Sequence, residues 1–321
     1  MDAKKIKVSV VMIAYNHAPY IEQSINSVLR QKTNFPFEIL LGDDCSTDET
    51  ANIIDQYTQR FPEQITAVNR PQNLGATRNF YDLITRAKGD YIAYLEGDDY
   101  WTEDTKLQQQ VDFLESHPQY IGCTHKITLV DNDGTPCHEP IPWICDKEVY
   151  TLEDFGGIVL PGHVNSLVHR NIFRDEPGKY EDLITMHPMI GDRPLCLLVA
   201  SKSPIYQIQS VMGCYRKPAS DRLSATNVLY EANPEKTWDD YVYTKKLETY
   251  ATERLHTDAS FEPQKKHLLL DAVCTALRRP GKGSGRVVWR IIKTEKRIGF
   301  AFSIFGMLIK KTLGKLRKED A

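Results

Sequence analysis

Three carboxylates stand within four residues in the stretch YLEGDDYW, which runs from Tyr94 to Trp101. Glu96, Asp98 and Asp99 follow an apolar run and precede two aromatic residues. Like charges packed together repel, and their burial is costly unless a positive charge compensates them. Mn²⁺ and Mg²⁺ take oxygen ligands, commonly carboxylates together with phosphate oxygens. The stretch is therefore either a solvated acidic turn or a site for a divalent cation and a phosphorylated ligand.

A second acidic pair, Asp43–Asp44, closes another apolar run, FEILL. A carboxylate such as that of Asp44 can accept hydrogen bonds from the imide of a nucleobase. The pair can equally cap the helix predicted after it, because Asp and Ser side chains accept hydrogen bonds from the first N–H groups of a helix. Ser46 and Glu49 have the spacing of a capping box, and capping by Ser46 leaves Asp44 available for a ligand.

The first hundred residues alternate between strand and helix patterns. Four short runs predict buried strands: VSVVMIA, FEILLGDD, ITAVNR and DYIAYLE. Between them, three segments carry apolar residues at helical spacing: PYIEQSINSVLRQ, STDETANIIDQYTQRF and GATRNFYDLITRA. This alternation predicts an α/β fold with a Rossmann-like, mostly parallel central sheet flanked by helices on both faces.

Ligands of such sheets bind at the carboxyl ends of the strands, where both acidic pairs stand. Tyr15 and Asn16 follow the first strand, so we expect all these residues in one crevice. Tyr15 presents an aromatic face on which a base can stack, with packing in the core as the alternative. Arg78, on the third helix, can approach a diphosphate or be an ordinary exposed helix arginine.

The remaining chain has a less regular pattern. KLQQQVDFLESHP predicts a further amphipathic helix, and YIGCTHKITLVDNDG a strand that ends in a turn. Residues 135–180 have scattered Pro, Gly and aromatic residues, as in long loops over a site. PIYQIQSVMGCYR indicates another strand, and residues 234–279 read as helices.

The composition excludes several classes of protein. The chain has 321 residues, 41% of them hydrophobic and 26% charged, as in a soluble globular protein. Its formal charge of −3 argues against a nucleic-acid partner. Seven cysteines without a CxxC pair argue against a disulfide framework and a structural zinc site. The N-terminus lacks the pattern of a signal peptide, so we expect the protein on the cytoplasmic side.

The C-terminal segment 286–321 is basic. Residues 286–318 contain ten Lys or Arg and one acid, a local charge of +9, and residues 298–309 contain no charged residue. A membrane-spanning helix needs about 20 apolar residues. The segment therefore favours an interfacial helix on the anionic inner face of the plasma membrane, with packing of a terminal helix as the alternative.

Four stretches, taken in order, resemble the N-terminal half of the family-2 glycosyltransferases. They are VSVVMIAYNHAPYIEQSINSVLRQ, EILLGDDCSTDET, NLGATRNFYDLITRAKGDYIAYLEGDDYW and KLQQQVDFLESHP, within residues 5–130. The resemblance implies the GT-A fold, with a nucleotide-sugar half at about 5–130 and an acceptor half at about 131–225. A helical extension at 226–285 and the basic tail at 286–321 complete the expected organisation.

The resemblance also implies roles for individual residues. Asp44 reads the base, usually uracil, Asp98 contacts the ribose, and Asp99 holds Mn²⁺ or Mg²⁺ in the family's DXD-type motif, here Gly97-Asp98-Asp99. The donor pocket that it implies consists of Ala14, Tyr15, Asn16, Asp44, Arg78 and Asp98.

The family uses one further carboxylate as the base that deprotonates the acceptor hydroxyl. MHPMIGDRPLC places Asp192 where the family usually has an ED or D-aromatic pair. Helix capping and pairing with Arg193 are its alternative roles, and Glu181 and Asp182 are rival bases. His163 can line the acceptor side, although a lone histidine is more often structural.

The family's polymerising members carry a Q-x-x-R-W motif in the region of residues 214–222. That motif is absent here, which argues against a polymerising synthase. Arg216 and Lys217, in the same region, can still contact the donor diphosphate.

The resulting expectation is a metal-dependent, inverting glycosyltransferase of bacterial surface glycans. It moves a sugar from a nucleotide-diphosphate donor, a UDP-sugar, to a hydroxyl of a glycan or lipid-linked acceptor. A nucleotidyltransferase that makes nucleotide sugars is an alternative, but it needs a Gly-rich loop after the first strand, and AYNHAPY contains no glycine. A non-catalytic nucleotide-sugar-binding module at a membrane is the other alternative.

Overall fold

The computed structural model describes residues 5–174, 181–217, 235–278, 284–296 and 299–300. The chain divides into two compact units. The first comprises residues 1–155 and 159–222, and the second comprises residues 156–158 and 223–321.

The first unit is built on a sheet whose described strands run in the spatial order β3-β2-β1-β4-β8-β6-β9-β5, with β7 also paired to β9. β1 to β4 are parallel neighbours, and β8 joins β4 in antiparallel orientation. The strands are β1 (Val8–Ala14), β2 (Phe37–Asp43), β3 (Ile65–Asn69), β4 (Tyr91–Glu96), β5 (Tyr100–Trp101), β6 (Gly122–Val130), β7 (Val149–Tyr150), β8 (Val168–Arg170) and β9 (Ile205–Arg216).

Helices connect the strands, and the predicted α/β fold with a mostly parallel central sheet is confirmed. The helices of the first unit are α1 (Ile21–Leu29), α2 (Thr50–Arg60), α3 (Ala76–Arg86), α4 (Lys106–Ser116), α5 (Leu152–Phe155), α6 (Glu181–Met186) and α7 (Asp192–Ala200). A 3₁₀ turn at Val164–Ser166 precedes β8.

The core of this unit forms where the apolar helix faces meet the sheet. Ile21, Ile25 and Val28 recur at helical spacing in α1 and are completely buried. They pack with Val10 and Met12 of β1 in one hydrophobic cluster. Each such side chain stabilises the fold by about 1.5–3 kcal/mol relative to exposure, so this packing fixes α1 against the sheet.

The strand register brings the carboxyl ends of β1, β2 and β4 to one edge of the sheet. Ala14 at the end of β1 pairs with Asp43 at the end of β2, and Ile13 pairs with Glu96 at the end of β4. The predicted meeting of the two acidic pairs therefore follows from parallel pairing alone.

The predicted capping box of α2 is wrong. The helix begins at Thr50, and its capping residue Glu49 makes no side-chain capping bond. Ser46 instead receives a hydrogen bond from the Asn16 N–H (2.9 Å) and donates one from its own N–H to Asp43 Oδ2 (3.0 Å). These bonds join the loops after β1 and β2, which is why Ser46 does not serve the helix.

The second unit contains the helices α8 (Lys236–Glu253), α9 (Glu262–Arg278) and α10 (Ser284–Glu295). Helix α10 carries the first part of the basic segment, and its Val287 and Ile291 are buried with Tyr241 and Leu269. Residues 301–321, which include most of the uncharged stretch, lie outside the described residues. Within the described parts of the chain, none of the helices combines the length and apolar character needed to cross a bilayer.

Buried histidines make the first unit sensitive to acid. His169 Nε2 lies 2.6 Å from the Tyr94 hydroxyl, and Nδ1 lies 2.7 Å from the Arg170 carbonyl. Burial lowers the pKa of His169 to about 4 and that of His125 to about 3. The unfolded chain, with histidine near pKa 6.5, therefore binds more protons than the folded chain between about pH 6.5 and 4.

Each of these two histidines should consequently contribute a fall in the free energy of unfolding of about 1.4 kcal/mol per pH unit as the pH drops below about 6.5. Carboxyl groups with a raised pKa, such as Glu96 at about 8, contribute with the opposite sign, so the comparison of variants isolates the histidine contribution. Urea unfolding at several pH values measures this slope. His169→Gln keeps an acceptor for the Tyr94 hydroxyl and should reduce the slope of the free energy of unfolding against pH by the contribution of one histidine. His138→Gln, at an exposed position, should leave this slope unchanged. Equal slopes in all three proteins would contradict the assignment.

Candidate active site

The acidic cluster lies where β4 ends, and its members differ in exposure. Glu96 is half-buried at the last position of the strand. The Asp98 side chain is 27% exposed, with Oδ2 3.7 Å from His17 Nε2. The Asp99 side chain is fully buried. The turn thus directs one carboxylate outward and holds the next within the protein.

Neutral groups hold the Asp99 carboxylate. The Arg216 backbone N–H donates to Oδ1 (2.8 Å), and the Asn165 side-chain amide donates to Oδ2 (2.9 Å). The same Asn165 amide also donates to the Cys214 carbonyl (3.1 Å). Within the described residues, no lysine or arginine side chain is ion-paired with Asp99 or Glu96.

The cluster consequently resists ionisation. Burial, followed by the charges of Asp98 and Glu96, raises the pKa of Asp99 well above its usual range. Burial, followed by the charges of Asp98 and Asp192, raises the pKa of Glu96 to about 8. A positive charge at this place would stabilise the ionised carboxylates.

The donor atoms fit a divalent cation. One ligand atom from each of Glu96, Asp99 and His163 lies within 4.8 Å of the others. Burial lowers the pKa of His163 to about 4, so its imidazole is neutral and keeps a lone pair for a metal. Its ring stacks on Tyr215, with 4.1 Å between centroids, which fixes its orientation.

The Arg216 side chain supports the turn at Asp98 by a hydrogen bond to its carbonyl oxygen. Its buried guanidinium lies 4.4 Å from the centroid of the Tyr20 ring. Because four of its five N–H groups donate to protein oxygens, the side chain ties the turn at Asp98 to neighbouring loops, and its contact with a diphosphate stays a prediction. The acceptors are the carbonyl oxygens of Asp98 (2.9 Å), Asp131 (3.0 Å) and Asn132 (2.6 Å), and Gln23 Oε1 (2.9 Å). Lys217 forms an exposed ion pair with Glu139.

The loop after β1 supplies the other wall of the crevice. Tyr15 is half-buried and Asn16 is exposed, with a left-handed backbone (φ 55°). Asn16 Oδ1 accepts a hydrogen bond from the Thr47 N–H (2.8 Å). The Ala14 carbonyl accepts one from the Asp44 N–H (2.9 Å). These bonds bring Tyr15 and Asp44 to the same edge of the sheet.

Asp44 is buried and already accepts two hydrogen bonds. They come from the N–H groups of Leu74 (2.7 Å) and Gly75 (2.9 Å), just before α3. Each carboxylate oxygen has two lone pairs, so a further donor can still bind. Arg78 is exposed in the first turn of α3, three residues after Gly75.

Helix α3 also positions Asp192. The Tyr81 hydroxyl donates to the Gly191 carbonyl (2.9 Å), and the Thr77 N–H donates to the Pro188 carbonyl (3.1 Å). Gly191 is the capping residue of α7 by position, and Asp192 Oδ1 accepts a hydrogen bond from the Arg193 N–H (2.8 Å) in the first turn of this helix. Apolar side chains, including those of Leu160 and Leu195, line a pocket beside this carboxylate.

Asp192 belongs electrostatically to the acidic cluster. Its charge contributes, after that of Asp98, to the raised pKa of Glu96. Burial raises the pKa of Asp192 itself, and the neighbouring Arg193 partly offsets that effect. Glu181 and Asp182 lie in the first turn of α6.

Sequence reasoning missed two residues of this site. It placed His163 on the acceptor side without a ligand role, and it did not single out Asn165. Both lie in or beside the 3₁₀ turn before β8, more than sixty positions after Asp99. No local pattern signals this proximity, since it arises from the insertion of β8 between β4 and β6.

The sequence of this chain is similar to that of known glycosyltransferases. The family model "Glycosyl transferase family 2" matches residues 9–176. The uncharacterised protein Rv1520 of Mycobacterium tuberculosis is 35% identical over 213 residues, 66% of this chain and 59% of that protein. TuaG of Bacillus subtilis, a putative teichuronic acid biosynthesis glycosyltransferase, is 38% identical over 132 residues. These are 40% of this chain and 50% of TuaG, so the match spans little more than half of either relative.

Solved structures show the same fold at low identity. The structure of S. aureus TarS 1–349 in complex with UDP-GlcNAc has a TM-score of 0.53 at 18% identity, and covers 83% of this chain and 80% of that one. The mannosyltransferase PcManGT from Pyrobaculum calidifontis, with GDP-Man and Mn²⁺, has a TM-score of 0.50 at 13% identity, covering 92% and 82%. With the family model matching more than half of its residues and the central sheet of GT-A enzymes, this chain belongs to glycosyl transferase family 2.

Proposed function

We propose that this protein is a metal-dependent, inverting glycosyltransferase. It moves a sugar from a nucleotide-diphosphate donor, a UDP-sugar, to a hydroxyl of a glycan or lipid-linked acceptor in surface polysaccharide synthesis. One observation carries the proposal: an acidic cluster around the buried Asp99 lies at the strand ends, and within the described residues no lysine or arginine side chain is ion-paired with Asp99 or Glu96, while the charge of Asp192 acts on Glu96.

The nucleotide would occupy the crevice between the loops after β1 and β2. Tyr15 would stack on the base and Asp44 would accept its imide N–H, while Ala14 and Asn16 line the pocket. Asp98, the exposed member of the acidic pair, would accept a hydrogen bond from the ribose. The position of Arg78 beside the loop that binds Asp44 supports a contact near the base.

Asp99, with Glu96 and His163 as further ligands, would hold Mn²⁺ or Mg²⁺. When bound, such a cation stabilises the negative charge that develops on the leaving nucleoside diphosphate. The protein's part is to fix the ligands, through the bonds of Asn165 and Arg216 to Asp99 and the stacking of Tyr215 on His163.

Asp192 would act as the general base. Its carboxylate takes the proton of the acceptor hydroxyl as that oxygen forms a bond to the anomeric carbon. The bond from this carbon to the diphosphate oxygen breaks, and its electron pair leaves with the nucleoside diphosphate. A single displacement of this kind inverts the configuration of the anomeric carbon.

The relatives support the choice of donor and pathway. The name of TuaG refers to teichuronic acid biosynthesis, and TarS was solved with UDP-GlcNAc. PcManGT was solved with GDP-Man and Mn²⁺, so a guanosine donor is the second choice for this chain.

A screen of UDP- and GDP-sugars tests the proposal. The full chain is incubated with each donor and Mn²⁺, Mg²⁺ or EDTA, and release of nucleoside diphosphate is measured. Slow hydrolysis of one donor, lost in EDTA, is the expected result. Donor binding without any release would favour a non-catalytic module. Formation of a nucleotide sugar from a nucleoside triphosphate and a sugar phosphate would favour a nucleotidyltransferase.

The basic C-terminal segment would place the enzyme at the inner face of the plasma membrane, where lipid-linked acceptors lie. Lys and Arg near an anionic surface each contribute about 1 kcal/mol, screened by salt. The structure separates two parts of this segment. Ser284–Glu295 forms α10, which has buried side chains, whereas residues 301–321 add five Lys or Arg by sequence.

Two truncations should therefore differ. A chain ending at Phe300 keeps Val287 and Ile291, so we expect it to stay folded but to bind phosphatidylglycerol vesicles more weakly than the full chain. A chain ending at residue 285 loses both buried side chains and should unfold at lower temperature. Vesicle sedimentation at low and high salt, with circular dichroism melting, measures both effects. Equal vesicle binding by the full chain and the chain ending at Phe300 would contradict the membrane role.

A further inference from the structure

We propose that Trp143 is the stacking platform of an acceptor subsite, and that the acceptor presents a pyranose ring to it. The inference rests on the proposed glycosyltransferase function and adds the chemical class of the group that receives the sugar. The proposed subsite lies next to the rings of His163 and Tyr215.

Three aromatic rings form one wall beside the acidic cluster. The Trp143 ring lies 5.8 Å from the His163 ring and 6.4 Å from the Tyr215 ring, between centroids. His163 Nδ1 lies 3.6 Å from Asp99 Oδ2. His163 is buried, whereas Trp143 and Tyr215 are half-buried. The indole is therefore one of the two rings of this wall that keep contact with solvent, and it is the larger one.

The backbone holds Trp143 at this place. Its carbonyl accepts a hydrogen bond from the Leu160 N–H (2.8 Å), and the Cys145 N–H donates to the Leu160 carbonyl (2.8 Å). These bonds form a parallel bridge between Ile144 and Leu160. Leu160 also lines the apolar pocket beside Asp192, so the bridge ties the indole to the segment that borders the candidate base.

The chemistry of the wall matches a sugar ring. One face of a pyranose carries axial C–H groups, whose positive ends are attracted to the negative face of an indole. The hydroxyls at the ring edge need acceptors, and the carboxylates of the site provide them.

The donor sugar is a second pyranose that could use the same platform. Its position is constrained by the diphosphate, which Asp99 and the crevice between the β1 and β2 loops would hold. Trp143 instead pairs through its backbone with Leu160, which lines the same pocket as Asp192, the group that would take the acceptor's proton. This connection assigns the platform to the acceptor. Separate measurements of donor hydrolysis and of transfer to an acceptor show whether Trp143 contacts the donor sugar or the acceptor sugar.

Trp143→Ala and Trp143→Phe are compared with Trp289→Ala, a substitution of a tryptophan that is 64% exposed on α10. Hydrolysis of the donor by water, with Mn²⁺ and no acceptor, reports the donor side. Transfer to octyl glucopyranosides and galactopyranosides reports the acceptor side, with octyl glycerol as a probe that has a hydroxyl but no ring. The acceptor KM, kcat and the Mn²⁺ dependence are measured for each.

Trp143→Ala should raise the KM for the pyranoside at least about fivefold, which corresponds to about 1 kcal/mol, with donor hydrolysis unchanged. Trp143→Phe should recover part of the loss, and Trp289→Ala should behave as the parent protein.

An unchanged pyranoside KM in Trp143→Ala would overturn the inference. Transfer to octyl glycerol at the same rate as to the pyranosides would also overturn it. An equal loss of donor hydrolysis and transfer would also overturn it, since Trp143 would then act on the donor or through His163. If the parent protein hydrolyses no donor, the proposed function itself fails.

Discussion

Asp99→Asn should lower the rate of sugar transfer at least about a hundredfold and remove Mn²⁺-dependent binding of the nucleotide donor. The amide is nearly the same size as the carboxylate but lacks its charge, so the proposed metal site loses its buried anionic ligand. Metal stabilisation of a leaving group contributes several kcal/mol, and each 1.36 kcal/mol corresponds to a factor of ten in rate.

A structural effect accompanies the loss, and its size can be bounded. The oxygen of the substituted side chain can still accept the Arg216 N–H, but the new amide nitrogen then faces the Asn165 amide, which is also a donor. Losing one hydrogen bond of this kind costs about 1–3 kcal/mol. We therefore expect a lower melting temperature with a folded protein, and circular dichroism measures it alongside the activity.

Manganese binding is measured directly by electron paramagnetic resonance of free Mn²⁺, with and without nucleoside diphosphate. Glu63→Gln is the matched control, because it also removes one negative charge but on an exposed loop. The control should bind Mn²⁺ and transfer sugar as the parent protein does. Ordinary Mn²⁺-dependent turnover in Asp99→Asn would remove Asp99 from the metal site.

The sequence contains most of the information on the donor half of the site. Apolar runs alternating with amphipathic helices predict parallel strands, and parallel strands end at one edge. This reasoning places Asp44 and Asp99 together although 55 positions separate them, and the register of β1 with β2 and β4 agrees with it.

The proposed acceptor half has no comparable periodic signal. His163 and Asn165 come from a segment of turns and short strands, and they lie beside Asp99 just before β8, which pairs antiparallel with β4. Such pairing is set by packing across the whole sheet, not by local propensity. The failed capping box at Ser46 has a similar cause, because the hydroxyl and N–H of this residue are used between loops.

Asp192→Asn should leave donor binding intact and lower kcat for transfer at least about a hundredfold, the scale on which a positioned general base contributes. The neutral amide keeps the volume at the start of α7 but cannot take the proton of the acceptor hydroxyl. Because Asp192 lies outside the group formed by Glu96, Asp99 and His163, Asp192→Asn should still bind Mn²⁺ and nucleoside diphosphate, with any weakening small beside the loss in kcat.

The pH dependence of kcat gives a second readout of the same residue. Burial raises the pKa of Asp192 above its usual value, and the base works only when it is ionised. Transfer by the parent protein should therefore decline as the pH falls through this raised pKa, at a higher pH than an exposed aspartate would give. The residual activity of Asp192→Asn should lack that acidic limb.

Asp182→Asn and Glu181→Gln, at the rival positions in α6, should keep both the rate of transfer and its decline at low pH. If Asp192→Asn retains full kcat while one of the α6 variants loses it, the base belongs to α6, and the electrostatic link between Asp192 and Glu96 has no catalytic role.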